Sequence, residues 1–176
     1  MQRKSATHAL QVEHDRERDA TQGFEPKGTY GFIRYLEHGF PSSLVRWHYH
    51  EEYELHLILE SSGKVFVGDY IGQFAPGHLV LTGPRVPHNW VSMDTPAEGV
   101  KLRDMVIQFG HAPLELLAGA IPEVKTILPL LNRALYGIEF FGLSEAARLR
   151  FARIRDSSGL ARFIEFLTLL GELAQS

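Results

Sequence analysis

The 176 residues carry a formal charge of -3 and 44% hydrophobic side chains, enough for one folded core with a small helical appendage and without the basic surface that nucleic-acid recognition usually needs. There is no cysteine, which excludes disulfides and thiolate metal sites and leaves imidazole and carboxylate as ligands, for which nine histidines are at hand. The N-terminus lacks the apolar core of a secretory signal and no apolar run approaches the roughly 18 residues that cross a membrane, so a cytoplasmic protein without a membrane partner is expected.

Residues 1–23 mix charges of both signs with only Leu10 and Val12 as sizeable apolar residues, the pattern of a flexible polar arm. Residues 24–112 are punctuated differently. TYGFIRYL, SSLVRWHYHEEYELHLILE, GKVFVGDYIGQF, GHLVLTG and DMVIQFG have strand composition and are separated by turn chemistry such as GFPSS, ESSGK, APG and DTPAEG. Many short strands with no intervening helix predict a mainly β fold, a closed barrel or jelly roll.

From Pro113 to Ser176 the apolar period becomes helical. PLELLAGAI and PEVKTILPLLNRAL open at prolines, and Pro129 is expected to interrupt the second. SEAARLRFARIRD is expected to use Ser144 as its N-cap and to bury Ala147, Phe151 and Ile154. LARFIEFLTLLGELA carries two apolar stripes, Leu160, Phe163, Ile164 and Leu167 on one side and Phe166, Leu169, Leu170 and Leu173 on the other. One stripe faces the barrel; the other either suits a homodimer or belongs to a monomeric helical layer. This helix is apolar nearly all round, so it is unsuited to a DNA groove.

The chemistry concentrates in residues 45–59, VRWHYHEEYELHLIL. His48, His50 and Glu54 share the even-numbered positions, and in a strand alternate side chains project to one face. His88, in GPRVPHNW, is placed to complete the set. Three imidazoles and a carboxylate suit a divalent Zn, Ni, Fe or Mn ion, or the polar groups of a bound molecule directly. His56 continues the same face and either lines the same cavity or is a buried, hydrogen-bonded histidine. Trp90 and Gln108 are further ligand-binding candidates, with plain packing as the competing reading for Trp90. His8, His14, His38, His78 and His111 read as ordinary exposed histidines. No nucleophile elbow, phosphate loop or dinucleotide fingerprint is present, so no catalytic nucleophile stands out.

Residues 47–90 resemble the paired motifs of the cupin family. The resemblance assigns His48, His50 and Glu54 to the first motif and His88 to the second, which opens at Gly77, eleven residues earlier. The chain departs from the pattern at Ser42, Gly83, Arg85 and Ser92, and has its later first-motif glycine at Gly63. More narrowly, HYHEEYELHLILESSGKVFVGD followed by GHLVLTGPRVPHNW, with the trailing helices, is similar to the N-terminal sensor domain of AraC-type transcription regulators. That resemblance implies a double-stranded β-helix barrel that binds a small-molecule effector and a helical dimerisation segment. It also implies a DNA-binding helix-turn-helix domain absent from this chain, so a longer parent protein is expected. The alternatives are a small metal-dependent cupin enzyme, such as an isomerase, decarboxylase or dioxygenase, and a non-catalytic metal-binding or storage cupin.

Overall fold

The computed structural model describes residues 11–12, 32–42 and 45–176. Of the expected arm, only the short strand β1 (Gln11–Val12) falls among these; the rest of residues 1–23 lies outside them. In chain order there follow β2 (Ile33–Phe40), β3 (His48–Tyr49), β4 (Tyr53–Ile58), β5 (Gly63–Val67), β6 (Tyr70–Phe74), β7 (Leu79–Thr82), β8 (His88–Ser92) and β9 (Val100–Phe109). Next come α1 (His111–Ala120), a 3-10 stretch (Pro122–Ile127), α2 (Leu128–Ala134), β10 (Ile138–Phe140), α3 (Ser144–Asp156) and α4 (Gly159–Ala174).

Among the described residues the strands form two five-stranded sheets. The front sheet has the order β1-β3-β8-β5-β6 and the back sheet β10-β7-β4-β9-β2; every pairing is antiparallel except that of β1 with β3. The two-residue loop Gly68–Asp69 closes the β5–β6 hairpin with Gly68 at φ 57°, a conformation glycine adopts without steric cost.

Alternation along the back-sheet strands sets the layering. Leu55, Leu57, Leu79, Leu81, Ile107 and Phe109 project away from the front sheet and pack with Leu114, Leu130, Phe151, Phe166 and Leu170 of the helices. Each such side chain contributes roughly 1.5–3 kcal/mol by leaving water, so this face dominates stability. The opposite face of the same strands meets the front sheet through a smaller apolar cluster that includes Ile58, Val65, Val80 and Trp90. The rest of that inter-sheet space is polar.

Several elements differ from the sequence expectation, each for a local reason. The single long strand over 42–60 is two strands in different sheets, because the chain turns at 50–52 and crosses from front to back. Residues 88–92 form a strand that their proline-rich approach concealed. The helical segment contributes β10, which extends the back sheet beside β7. Pro129 does break its segment, and it does so from the first turn of α2, where a missing N–H costs nothing. Ser144 is the first residue of α3 and makes no capping bond; Leu143 holds the cap position.

On α4, Phe166, Leu169, Leu170 and Leu173 are buried as expected, Phe163 and Leu167 are half-buried, and Leu160 and Ile164 are exposed. The arginines of α3 engage carboxylates rather than forming an open basic face: Arg150 reaches Glu165 at 2.8 Å and Glu172 at 2.6 Å on α4, and Arg148 pairs with Glu145.

Candidate metal centre

His48 and His88 are directly cross-strand partners in β3 and β8, and His50 follows as the chain leaves the front sheet. Their rings lie close together, with centroids 4.5 Å apart for His48 and His88, 5.1 Å for His50 and His88, and 5.8 Å for His48 and His50. One ligand atom from each falls within 4.8 Å of those of the other two. His50 and His88 are buried and His48 half-buried.

The tautomers follow from the backbone. The Nδ1 atom of His48 lies 2.8 Å from the Arg46 carbonyl, that of His50 3.0 Å from the Glu52 carbonyl, and that of His88 2.8 Å from the Val86 carbonyl. A carbonyl only accepts, so each Nδ1 carries a proton and donates it. In the neutral ring this leaves the lone pair on Nε2, the arrangement by which a histidine is oriented as a metal ligand.

Two loops are also tied together. The Arg85 N–H donates to the His50 carbonyl at 2.8 Å, and its guanidinium pairs with Glu51 at 2.9 Å. Arg85 sits at φ 61°, in the left-handed region that glycine adopts freely, and it occupies one of the positions where the chain departs from the cupin motif. The contact to His50 gives this strained residue a local compensation.

Glu54 approaches from the back sheet. Its carboxylate lies 3.0 Å from His50 Nε2, 3.5 Å from His88 Nε2 and 3.3 Å from His56 Nδ1, and accepts a 2.9 Å bond from the Gln108 amide. Burial alone would raise its pKa, but the hydrogen bond with His50 and the cationic His56 beside it outweigh burial and hold it well below the usual carboxylate range. His88 is pushed down to about 3, chiefly by burial and further by His48 and His50, against the pull of Glu54. His88 is thus neutral at pH 7, and its buried Nε2 has no hydrogen-bond partner. A buried lone pair without a donor, beside two further imidazoles and a carboxylate, is what an ion would satisfy; the residues fit a divalent metal.

Behind Glu54 the polar interior continues. His56 Nε2 lies 3.3 Å from Asp104, which in turn binds His38 at 2.7 Å and Arg103 at 2.5 Å. Burial lowers the His56 pKa, but Asp104 and Glu54 outweigh it and raise the value to about 9. Asp104 is held well below the carboxylate range: burial opposes ionisation, and His56 and His38 overcome it. Trp90 lies against His56, with centroids 4.1 Å apart, and donates its indole N–H to His78 Nδ1 at 3.3 Å.

The structure therefore brings His48, His50 and His88 into one cluster, sets Glu54 against two of them, and places His56 and Gln108 against Glu54. Trp90 meets His56 and His88 rather than an open pocket. Two histidines read as ordinary are not: His78 is buried, and His38 is bonded to Asp104. Asp104 and Arg103 were missed altogether. A signal existed, since Asp104 shares the parity of Gln108 on one strand and interrupts an apolar run.

No protein-family model matches the chain, and no curated protein matches it. Among solved structures it is similar to Bacillus subtilis oxalate decarboxylase. One of these, described for its Mn(II) centres, is 18% identical with a TM-score of 0.32 over 61% of this chain and 32% of that chain. A further oxalate decarboxylase structure, described for its substrate binding mode and a reaction specificity switch, is 18% identical with a TM-score of 0.30 over 61% of this chain and 32% of that chain. The chain spans about a third of the length of these structures. Its chemistry accordingly rests on its own geometry.

Proposed function

We propose that this chain is a cupin-type domain that binds a divalent metal through His48, His50 and His88, with Glu54 as fourth ligand, and uses the site to sense a small polar molecule. The observation that carries the reading is the histidine triad, two of its members buried, whose three Nδ1–H groups are anchored on backbone carbonyls. Zn, Ni, Fe and Mn all accept this donor set. Bound there, the ion would act as a Lewis acid with open positions for oxygen or nitrogen donors. Gln108 and His56 would hold the Glu54 carboxylate in place, and the Trp90 ring would keep water from His56.

The sensor role is the one the AraC-type resemblance implies: an effector-binding barrel, a homodimer through the C-terminal helices, and DNA contact through a domain not present in this chain. The exposed Leu160 and Ile164 on α4 support the dimer. Such a regulator domain would act in the cytoplasm, and effector binding would shift assembly only by favouring one arrangement over the other.

A second reading is favoured by Glu54 itself. An ionised, buried carboxylate beside two of the imidazoles also supplies a fixed negative charge to position a substrate, as in a metal-dependent isomerase, decarboxylase or dioxygenase.

The deciding experiment is elemental mass spectrometry on protein purified without chelator or nickel resin, beside His48→Ala/His88→Ala. Near-stoichiometric metal that disappears in the double variant is expected. Wild-type protein that takes up none of the four ions on incubation overturns the proposal.

A further inference from the structure

A second site lies away from the histidine triad. A cavity of about 730 Å³ opens between the ends of β5, β6 and β10, and a smaller one of about 270 Å³ adjoins it; His78 and Glu139 line both. Neither is lined by His48, His50, Glu54 or His88. In register terms His78 precedes Leu79, the partner of Leu57, whereas Glu54 pairs with Thr82, so the two sites sit at opposite ends of β7. The larger volume falls within the range of small-molecule pockets, roughly 300–1,000 Å³.

The polar group in this cavity has a defined state. The Trp90 indole can only donate, so His78 Nδ1 is the acceptor and carries the lone pair. Burial, with the nearby His56, pushes His78 down to about 4, so it is neutral at pH 7 and its one proton is on Nε2. That N–H lies 3.5 Å from Glu139, whose carboxylate is one-third exposed. The wall is mixed: Ser62 and Gln73 add polar groups, Phe74 and Phe140 are buried at the base, and Phe141 and Met93 stand 81% and 69% exposed at the mouth. Lys64 adds a cation at the rim.

A carboxylate with acceptor capacity to spare, with the His78 imidazole 3.5 Å away and an exposed aromatic ring at the mouth, recognises a ring with a hydrogen-bond donor. We propose that this cavity binds a small aromatic molecule carrying an amino or hydroxyl group, with Glu139 accepting from that group and Phe141 and Met93 covering the ring. The site is independent of the metal centre and would stand if that centre bound no ion.

The test is saturation-transfer NMR and calorimetric titration with tyramine, phenol and toluene. The proteins are wild type, Glu139→Gln, Ala75→Trp and His48→Ala/His88→Ala. Ala75 is exposed on the cavity rim, so a tryptophan there fills the space without disturbing the core. Wild-type protein is expected to bind tyramine and phenol with dissociation constants of about 1 mM or below. Glu139→Gln should weaken tyramine about tenfold, the loss of one charge-assisted hydrogen bond, and leave toluene unchanged. Ala75→Trp should abolish binding, and the double histidine variant should retain it. Absence of binding by all three probes overturns the proposal. So does affinity that survives both cavity variants, or that is lost in the double histidine variant.

Discussion

The two faces of the back sheet are built from alternate residues of the same strands and do opposite things. On β4, Tyr53, Leu55 and Leu57 are buried against the helices, while Glu54 and His56 are buried between the sheets among charged partners. The first face gains stability from leaving water. The second must offset the desolvation of Glu54, His56, Asp104 and Arg103 with mutual contacts, which at best returns what burial costs. An expense of this kind is retained where polar groups have a task, and the triad sits at one end of that polar face.

Substitutions that separate the faces should differ in kind. The largest effect is expected from Asp104→Asn, which leaves Arg103 buried without its counter-charge; breaking a buried pair costs about 3–5 kcal/mol. Denaturant unfolding at pH 7 measures it. Leu55→Ala on the apolar face should cost about 2–5 kcal/mol through its cavity, yet leave metal content per folded molecule unchanged. Loss of metal in that variant would mean the faces are coupled.

The pH dependence of the chelator-treated protein belongs to the polar face alone. Asp104 has a depressed folded-state pKa, so its contribution is fully present above its unfolded value near 4 and is lost as pH falls below it. His56 has a raised one, so its contribution is complete below about 6.5 and is lost as pH rises towards about 9. Unfolding free energies measured across pH 3 to 9 should therefore fall at both ends. Asp104→Asn should shrink both changes without abolishing them, since Glu54 also raises His56 and Glu54, His78 and His88 also contribute to the acid fall.

A smaller effect is expected of Gln108→Leu. It removes the 2.9 Å bond that orients Glu54, and loss of such an outer contact weakens metal affinity about 10- to 100-fold, readable by competition with a chromogenic chelator. Smallest for the fold is Ile164→Lys on the exposed side of α4. It should change unfolding free energy by about 0.5 kcal/mol or less while converting any homodimer to monomer in sedimentation velocity.

The β-rich body and the helical tail were legible because periods of two and 3.6 residues are local properties, and the tail's buried stripe at Phe166, Leu169, Leu170 and Leu173 follows directly from the second. The triad was legible too, but for an incomplete reason. Parity on one strand was expected to align His48 and His50 with Glu54, whereas the chain turns between them and the carboxylate arrives from the facing sheet. The convergence holds because the two sheets face each other across the interior. Asp104, His38 and His78 were not legible as a group, since their partners lie 66, 48 and 12 residues away in His38–Asp104, His56–Asp104 and His78–Trp90 respectively.

By itself, then, the sequence determined which residue types alternate along each strand, where the helical period begins, and that imidazole and carboxylate are the ligands at hand. Only the tertiary structure decided which sheet each segment joins, that Glu54 meets the histidines across the sandwich, and that His78 and Glu139 share a cavity at the far end of β7. The physical reason is that side-chain parity is set by the backbone of a single strand, whereas burial, charge partners and cavities are set by which distant strands pair.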